Sequence, residues 1–152
     1  MRKISLIIGL LMIFVSSLWA QAVDAEKEMI KKVIQTAYVD GLQNKGNIED
    51  IQSGFHPGFN LLGVRDNMLT KFPIYSWIES HKKRVAADPA PPSDEQRITC
   101  KYLLIDVTGN AAMAKIELYR NKQLLFTDYL QLYKFDEGWK VVSKIYYRHE
   151  GW

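Results

Sequence analysis

Two charged residues, Asp128 and Lys144, lie within segments whose other residues suit buried β-strands. A carboxylate and an amine that meet in a pocket can be a reactive pair, whereas the same pair on a surface is only a weak ion pair. Lys115 lies on a third predicted strand, within reach of Asp128. The chemistry open to this charged cluster (Lys115, Asp128 and Lys144) depends on which face of the sheet carries it.

The histidine and cysteine residues are weaker candidates for a catalytic role than the charged cluster. His56 precedes Pro57 and could act as an acid or base near neutral pH, or could be a turn residue that hydrogen-bonds to the backbone. The single cysteine, Cys100, cannot form an intramolecular disulfide and is expected to behave as a small hydrophobic residue in a strand. No spacing of His, Cys, Asp or Glu is typical of a metal site, and no phosphate-binding loop is present. We therefore predict no metal and no cofactor.

Aromatic residues recur through both halves of the chain, with a few polar residues between them. They could line a pocket that stacks a flat ligand, with Gln131 and Ser143 as polar anchors. They could equally form an aromatic core whose hydroxyl groups bind the backbone. The predicted pocket residues are Tyr38, His56, Trp77, Tyr129, Gln131, Tyr133, Ser143 and Tyr147.

The first 22 residues have the features of a signal peptide. A short basic start, Arg2-Lys3, is followed by an apolar run over 4–19 and the small-residue pattern Ala20-Gln21-Ala22. The run is shorter than a membrane-spanning helix needs, although a retained anchor is the alternative. We predict that residues 23–152 form one domain that is exported to the periplasm or secreted.

The charge balance argues against nucleic acid as a partner. The full chain has 20 Lys and Arg against 17 Asp and Glu, and without Arg2 and Lys3 the basic count is 18. A nearly neutral domain lacks the excess of positive charge that phosphate contacts require. The one dense basic run, residues 81–84, is predicted to be a solvated helix face.

The N-terminal half is predicted to be mostly helical. Apolar residues at three- and four-residue steps predict a helix over residues 24–42, which residues 44–47 interrupt. A short second helix follows over 48–53, then a turn and a short strand over 60–64. Pro73 is suited to open a third helix, because its missing N–H costs nothing at the first helical position.

The C-terminal half is predicted to be a meander of long antiparallel strands. Tight turns are expected at Gly109-Asn110 and Asn121-Lys122. The third turn is predicted as Asp136–Gly138, because a three-residue loop requires a positive φ only at the glycine. That turn would place Phe135 opposite Trp139.

Because side chains on a strand alternate between its faces, these turns assign each strand residue to one face of the sheet. The predicted inner face has almost no charge and should pack on the helices; it consists of Leu103, Ile105, Val107, Ala112, Ala114, Ile116, Leu118, Leu125, Thr127, Tyr129, Gln131, Tyr133, Phe135, Trp139, Val141, Ser143, Ile145 and Tyr147. The predicted outer face is mixed and includes all three members of the charged cluster. An error of one residue in the register would exchange the faces.

On this outer face Asp128 is opposite Lys115 and diagonal to Lys144. In contact with water, such cross-strand pairs are worth only ~0.2–1 kcal/mol each. Alternatively, a curved sheet could turn the cluster toward a cleft or a subunit interface. Apolar residues on the same face predict a homodimer through Phe126, Leu130, Leu132, Val142 and Tyr146.

Three segments resemble a known superfamily: "FHPGF" (55–59), "TGNAAMAKIEL" (108–118) and "FTDYLQLYKFDEGWKVVSKIYY" (126–147). They are similar to the nuclear transport factor 2-like superfamily, and within it to the lumazine-binding (SnoaL-like) branch, over about residues 25–147. The resemblance implies an α+β cone, in which a curved, mostly antiparallel sheet wraps on three N-terminal helices around an apolar pocket. It also implies frequent dimers, and no single activity. The chain departs from the branch at Glu137, an extra residue in the usual turn.

Two function classes remain open. One is an exported module that binds a small apolar or planar ligand, or a protein partner, without chemistry. The other is a small-molecule isomerase, dehydratase or cyclase that uses acid–base catalysis. A carboxylate or histidine inside the cone beside a tyrosine would distinguish them, and the predicted register leaves no carboxylate there between residues 103 and 147. The sequence therefore favours binding.

Overall fold

The computed structural model describes residues 21–150 of the 152-residue chain. The predicted signal peptide, residues 1–22, lies almost wholly outside them. In the described part, helix α1 covers residues 21–33 and continues as a π-helical segment, Ile34–Gln43. Two further helices follow, α2 (Ile48–Gly54) and α3 (Ile74–Ala87). None of the helices described is long and apolar enough to cross a membrane.

Six strands of the described chain form one sheet in the order β2-β1-β6-β5-β4-β3. They are β1 (Phe55–Arg65), β2 (Met68–Pro73), β3 (Ile98–Thr108), β4 (Ala111–Arg120), β5 (Gln123–Phe135) and β6 (Gly138–Arg148). Strand β1 runs parallel to β6, and every other neighbouring pair is antiparallel. The sheet is curved and unclosed, and the helices pack against it, so the predicted α+β cone is confirmed.

The predicted helix ends are close to those observed. The helical segment ends at Gln43, and the side chain of Asn47 caps α2 by accepting a hydrogen bond from the backbone N–H of Asp50 (2.7 Å). The third helix differs slightly from its prediction. Pro73 occupies the N-cap of α3, and Ile74 is the first helical residue.

Strands β1 and β2 form a hairpin that the sequence analysis missed in part. The predicted short strand over 60–64 is the second half of β1, and the predicted turn at His56–Gly58 is an irregularity within that strand. Strand β2 was not predicted. The hairpin turns at Asp66 and Asn67, whose φ angles are 52° and 60°. Asp and Asn tolerate this left-handed conformation better than most residues, so the dipeptide was an available signal.

The predicted turns of the meander are present, with one difference in pairing. Positive φ angles occur at Gly109 (59°), Asn121 (46°) and Lys122 (65°). In the third turn only Gly138 has a positive φ (113°), as predicted. The predicted pairing of Phe135 with Trp139 is wrong by one residue, because Phe135 pairs with Gly138.

Two β-bulges make the predicted faces wrong for most of β5 and half of β6. The first lies in β5, where Leu118 of β4 pairs with Phe126 and the next pair skips Leu125. Asp128 therefore pairs with Ile116, not with Lys115. A bulge adds one residue to one strand, and because side chains alternate, every residue beyond it changes face.

The second bulge lies in β6. Leu132 pairs with Val141 and Gln131 with Ser143, so Val142 is the extra residue. The predicted inner positions of Trp139 and Val141 precede this bulge and are confirmed. Beyond it Lys144 is buried, whereas Ile145 and Tyr147, predicted to be inside, are exposed.

The core lies between the helices and the corrected inner face of the sheet. On β4 the predicted inner residues Ala114, Ile116 and Leu118 are buried as expected. Leu130 and Leu132 are buried beside them, at 0% and 1% exposed, so they cannot form the predicted dimer surface. The other main core residues are Ile30, Ile34, Ala37, Leu42, Ile51, Phe55, Phe59, Ile74, Ile78 and Leu125.

Candidate functional site

A cavity of about 310 Å³ lies between the helices and the concave face of the sheet. Its walls come from the π-helical segment, α3 and strands β1, β3, β4, β5 and β6. The lining residues are Tyr38, Gln43, Leu61, Trp77, Arg84, Ile98, Leu118, Arg120, Leu125, Phe126, Lys144, Tyr146 and Arg148. The predicted pocket was apolar, whereas this cavity carries four cationic side chains.

Three buried polar residues, Tyr38, Asp128 and Lys144, meet at the wall of this cavity; we call them the triad. The Tyr38 hydroxyl donates a hydrogen bond to Asp128 Oδ2 (2.6 Å), and Lys144 Nζ donates one to the Tyr38 oxygen (2.7 Å). Lys144 Nζ also lies 2.9 Å from Asp128 Oδ1. Asp128 is 0% exposed and Lys144 is 5% exposed, so the predicted water-exposed cluster is in fact a buried ion pair.

The local backbone explains how these residues meet. Tyr38 lies on the buried stripe of the first helix, within its π-helical segment, a conformation that is rare and often found at functional sites. Asp128 and Lys144 each follow a bulge, on β5 and β6 respectively. Without the two bulges, the carboxylate and the amine would both point away from the cavity.

One oxygen of the carboxylate is only partly satisfied. Asp128 Oδ1 is buried and has no aligned hydrogen-bond donor, although the Lys144 ammonium is close enough for an ion pair. The aligned hydrogen bond of Lys144 goes to Tyr38. Buried polar atoms are nearly always hydrogen-bonded, so an unsatisfied carboxylate oxygen is a candidate proton acceptor.

Burial sets the protonation chemistry of the two groups that reach the cavity. Burial, and then the Asp128 charge, raise the pKa of Tyr38 well above its ordinary value, so the phenol stays protonated and can donate. Burial lowers the pKa of the Lys144 amine, while the nearby Asp128 carboxylate partly opposes that effect. The neutral amine is therefore more accessible at Lys144 than at an exposed lysine.

Aromatic rings surround the Lys144 ammonium. Its Nζ lies 4.9 Å from the ring centre of Tyr38, 5.1 Å from that of Tyr146 and 5.7 Å from that of Trp77. Tyr38 and Trp77 also contact each other edge to face, with centres 5.9 Å apart. These rings exclude water from the amine and give a flat ligand surfaces to pack against.

A second polar group, Arg84, is held at the cavity by the end of the π-helical segment and by His81 of its own helix, α3. Its guanidinium donates hydrogen bonds to the Leu42 carbonyl and to His81 Nδ1 (3.2 Å). The His81 Nε2–H donates to the Gly46 carbonyl (2.9 Å), and burial lowers the pKa of this histidine. The predicted solvated face at residues 81–84 therefore includes His81, which is buried, and Arg84, which is exposed overall but also lines the cavity.

The sequence-predicted site residues divide into two groups. Tyr38 and Trp77 line the cavity. His56 stacks on Phe135, with ring centres 4.8 Å apart, and its Nδ1 accepts a hydrogen bond from the Gly58 N–H (3.0 Å). It therefore hydrogen-bonds to the backbone, which was the alternative to an acid or base role. The cavity walls do not include Tyr129, Gln131, Tyr133, Ser143 or Tyr147.

The predicted charged cluster is also divided. Asp128 and Lys144 are in contact, whereas Lys115 lies over the ring of Tyr129, 5.4 Å from its centre. The cavity residues that the sequence analysis missed include three cationic ones, Arg84, Arg120 and Arg148. Beyond the bulges, every second residue points to the inside of the cone, counted from Phe126 on β5 and from Lys144 on β6. The correct register would therefore have assigned Tyr146 and Arg148 to the inner face.

The side chains at the cavity are of types that hold organic ligands and protons. Within residues 21–150, no group of three or more His, Cys, Asp or Glu side chains could hold a metal ion. The triad has one carboxylate, an amine and a phenol. This set suits hydrogen bonding, proton transfer and nucleophilic addition.

Comparison with known proteins gives one catalytic relative and several solved structures of the same fold. The chain is 28% identical over 120 residues to "Aldolase FrzH" from Cladobotryum sp., covering 77% of this chain and 89% of that protein. It is 30% identical to a protein of unknown function from Shewanella baltica OS155 with a nuclear transport factor 2-like fold (TM-score 0.65; 84% and 96% of the two chains).

A more distant structure shows the same fold. A "putative dehydratase" from Streptomyces avermitilis is 14% identical, with a TM-score of 0.56 over 84% of this chain and 99% of that chain. The sequence profile of the family described as "Putative lumazine-binding" matches residues 25–147, which is most of the domain. The chain therefore belongs to that family, within the nuclear transport factor 2-like superfamily.

Proposed function

We propose that the domain binds a small, flat carbonyl compound in its cavity and promotes proton transfer at the carbon beside the carbonyl group. The observation that carries this proposal is the buried triad of Tyr38, Asp128 and Lys144 at the cavity wall. A carboxylate inside the cone beside a tyrosine is the feature that distinguishes the enzyme from the simple binder. The proposal thus favours the enzyme over the binding module that the sequence alone favours.

The roles of the three residues follow from their positions. Tyr38 and Lys144 reach the cavity, and Lys144 would donate a hydrogen bond to the ligand oxygen, where negative charge develops as an enolate forms. Tyr38 would join it by turning its single hydroxyl proton from Asp128 to that oxygen. Asp128 is fully buried behind them and would hold both donors in place. After Lys144 passes a proton to Asp128 Oδ1, 2.9 Å away, its neutral amine, which lines the cavity, would accept the proton lost from carbon.

The cavity walls favour a ligand that also carries negative charge. Arg84, Arg120, Arg148 and Lys144 line the cavity, and no acidic side chain of residues 21–150 is among the lining residues. A cleft lined by one sign of charge concentrates ligands of the opposite sign. The similarity to an aldolase supports a carbonyl substrate, because aldol chemistry takes place at the carbon beside a carbonyl.

Exchange of solvent deuterium into a carbonyl probe tests this proposal without knowledge of the natural substrate. Pyruvate and acetylacetone would be incubated with the protein in D₂O, and deuterium at the carbon beside the carbonyl would be followed by NMR. We expect protein-dependent exchange that falls about tenfold or more in Tyr38→Phe, because removal of one preorganised donor to an oxyanion costs at least that much. Quenching of tryptophan fluorescence, assigned with Trp77→Phe, would report binding.

Tyr147→Phe is the matched control, since Tyr147 is an exposed tyrosine that does not line the cavity. It should leave both exchange and binding unchanged. Binding without exchange would contradict the chemistry and leave a ligand-binding module, the second candidate function. Exchange that is equal in both variants would remove Tyr38 from the site.

Two further properties concern where the domain acts and how it assembles. We propose that the domain acts outside the cytoplasm, on the basis of the signal-peptide features of residues 1–22, and the corresponding mature protein would begin at Val23. We also propose a homodimer, now through the outer face of the sheet. Tyr133, Ile145 and Tyr147 are exposed there, and exposed apolar patches of this kind are commonly interfaces.

A further inference from the structure

We propose that Lys144 is a nucleophile that forms an imine with the carbonyl ligand of this cavity. The inference deepens the proposed function, on which it rests, by assigning a covalent step and a substrate class: carbonyl compounds that carry a carboxylate, such as 2-oxo acids. Lysine forms such adducts when its amine is desolvated and loses its proton readily.

The position of Lys144 meets the geometric requirement. Its side chain lines the cavity although it is only 5% exposed, so a ligand in the cavity can reach it while bulk water has little access. Three aromatic rings, of Tyr38, Trp77 and Tyr146, lie within 5.7 Å of Nζ. Such desolvation favours the uncharged, nucleophilic amine.

A proton acceptor for Lys144 is already in place. Asp128 Oδ1 lies 2.9 Å from Nζ and has no aligned hydrogen-bond donor of its own. Transfer of one ammonium proton to this oxygen would leave a neutral amine beside a neutral carboxylic acid. No charge would then be buried, so the transfer removes a desolvation cost without the need for a water molecule.

The three residues of the triad can supply every proton needed for addition of the amine to the carbonyl group and for the loss of water that follows. The amine lone pair attacks the carbonyl carbon, a C–N bond forms, and the carbonyl electron pair moves to oxygen. The Tyr38 hydroxyl, 2.7 Å from Nζ, can donate a proton to that oxygen and regain one from the Asp128 side. Asp128 recovers each proton that it supplies from the nitrogen, 2.9 Å from its Oδ1, so the oxygen leaves as water with the two protons that the neutral amine carried, and the C=N bond remains.

The carboxylate of the ligand would face the arginines. Arg84 is held at the cavity wall by Leu42 and His81, which fixes its guanidinium as a preformed anion partner. Guanidinium groups bind carboxylates through paired hydrogen bonds, so they orient the ligand as well as attract it. A 2-oxo acid would thus have its carboxylate held while its carbonyl carbon lies near Lys144.

Reductive trapping tests the inference directly. The full-length domain would be incubated at neutral pH with pyruvate and sodium cyanoborohydride, which delivers hydride to C=N and leaves a stable secondary amine. Peptide mass spectrometry would then measure the adduct at each lysine. We expect the adduct at Lys144 to exceed that at Lys101, whose side chain is 66% exposed, by about tenfold or more.

This comparison is made within one protein sample, so it does not depend on the folding of a variant. Tyr38→Phe should reduce labelling at Lys144 and leave Lys101 unchanged, and Tyr147→Phe should change neither. Equal labelling of Lys144 and Lys101 in a sample that exchanges deuterium would overturn the imine and leave the proposed function standing. If pyruvate neither binds, exchanges nor labels Lys144, both proposals fail.

Discussion

Replacement of Lys144 by methionine is expected to destabilise the domain by about 3–5 kcal/mol, measured as the free energy of unfolding in urea. Methionine has nearly the shape of lysine but no charge, so packing changes little. The Asp128 carboxylate would remain 0% exposed without its cationic partner. A buried charge that loses its partner keeps its full desolvation cost, which explains why this loss is several times that of a surface pair.

A second variant separates the ion pair from simple packing. In the double variant Asp128→Asn, Lys144→Met, no charge remains, and the oxygen of the introduced amide could still accept the Tyr38 hydrogen bond that now goes to Oδ2 of the carboxylate. We expect the double variant to be more stable than Lys144→Met alone. A loss below about 1 kcal/mol for Lys144→Met would instead indicate the water-exposed pair that the sequence first suggested.

The second large effect concerns the face of strand β5. Leu130→Ala is expected to cost about 2–5 kcal/mol, because Leu130 is 0% exposed and its truncation leaves a cavity in the core. Its neighbour provides the matched control. Gln131 is exposed and on the opposite face, so Gln131→Ala should stay within about 0.5 kcal/mol of the parent protein.

Thermal or urea unfolding of both variants would establish the register experimentally. The unbulged register assigns Gln131 to the core and Leu130 to the outer face, so it makes the opposite prediction. A larger loss for Gln131→Ala than for Leu130→Ala would contradict the bulge at Leu125. It would also move Asp128 out of the site.

The helical half of the fold was more accessible to sequence reasoning than the sheet. Tyr38 and Trp77 were named as pocket residues for their aromatic rings, both lie on predicted helices, and the structure brings both to the cavity. A helix stripe depends on local spacing, so errors elsewhere in the chain do not move it. On a strand the period is two, and a single extra residue reverses every position that follows.

Nothing in the sequence marks the two bulges. At the first bulge Leu124, Leu125 and Phe126 are all apolar, so the sequence fits an inner face whether the odd-numbered or the even-numbered residues point inward. Val141 and Val142 present the same ambiguity at the second. Neither bulge contains a glycine or a proline, the residues that often announce such features. The charges of the buried ion pair then misled the face assignment, because isolated charged residues usually lie in contact with water.

Those two charges are the main support for the proposed function. A lone buried carboxylate or amine would be costly, and the structure shows that Asp128 and Lys144 each supply the partner of the other, with Tyr38 as the third member. Buried ionisable groups with perturbed pKa values are concentrated at functional sites. A charged residue within an otherwise apolar strand is therefore informative even when the register is uncertain.

Titration of the Lys144 amine tests the account most directly. The ¹³Cε chemical shifts of the lysines would be followed by NMR as pH is raised, with Lys144 assigned from Lys144→Met. Burial disfavours the charged ammonium, so we predict that Lys144 loses its proton at a lower pH than the ordinary lysine pKa of 10.5. Titration of Lys144 together with the exposed lysines would contradict the buried triad and the site built on it.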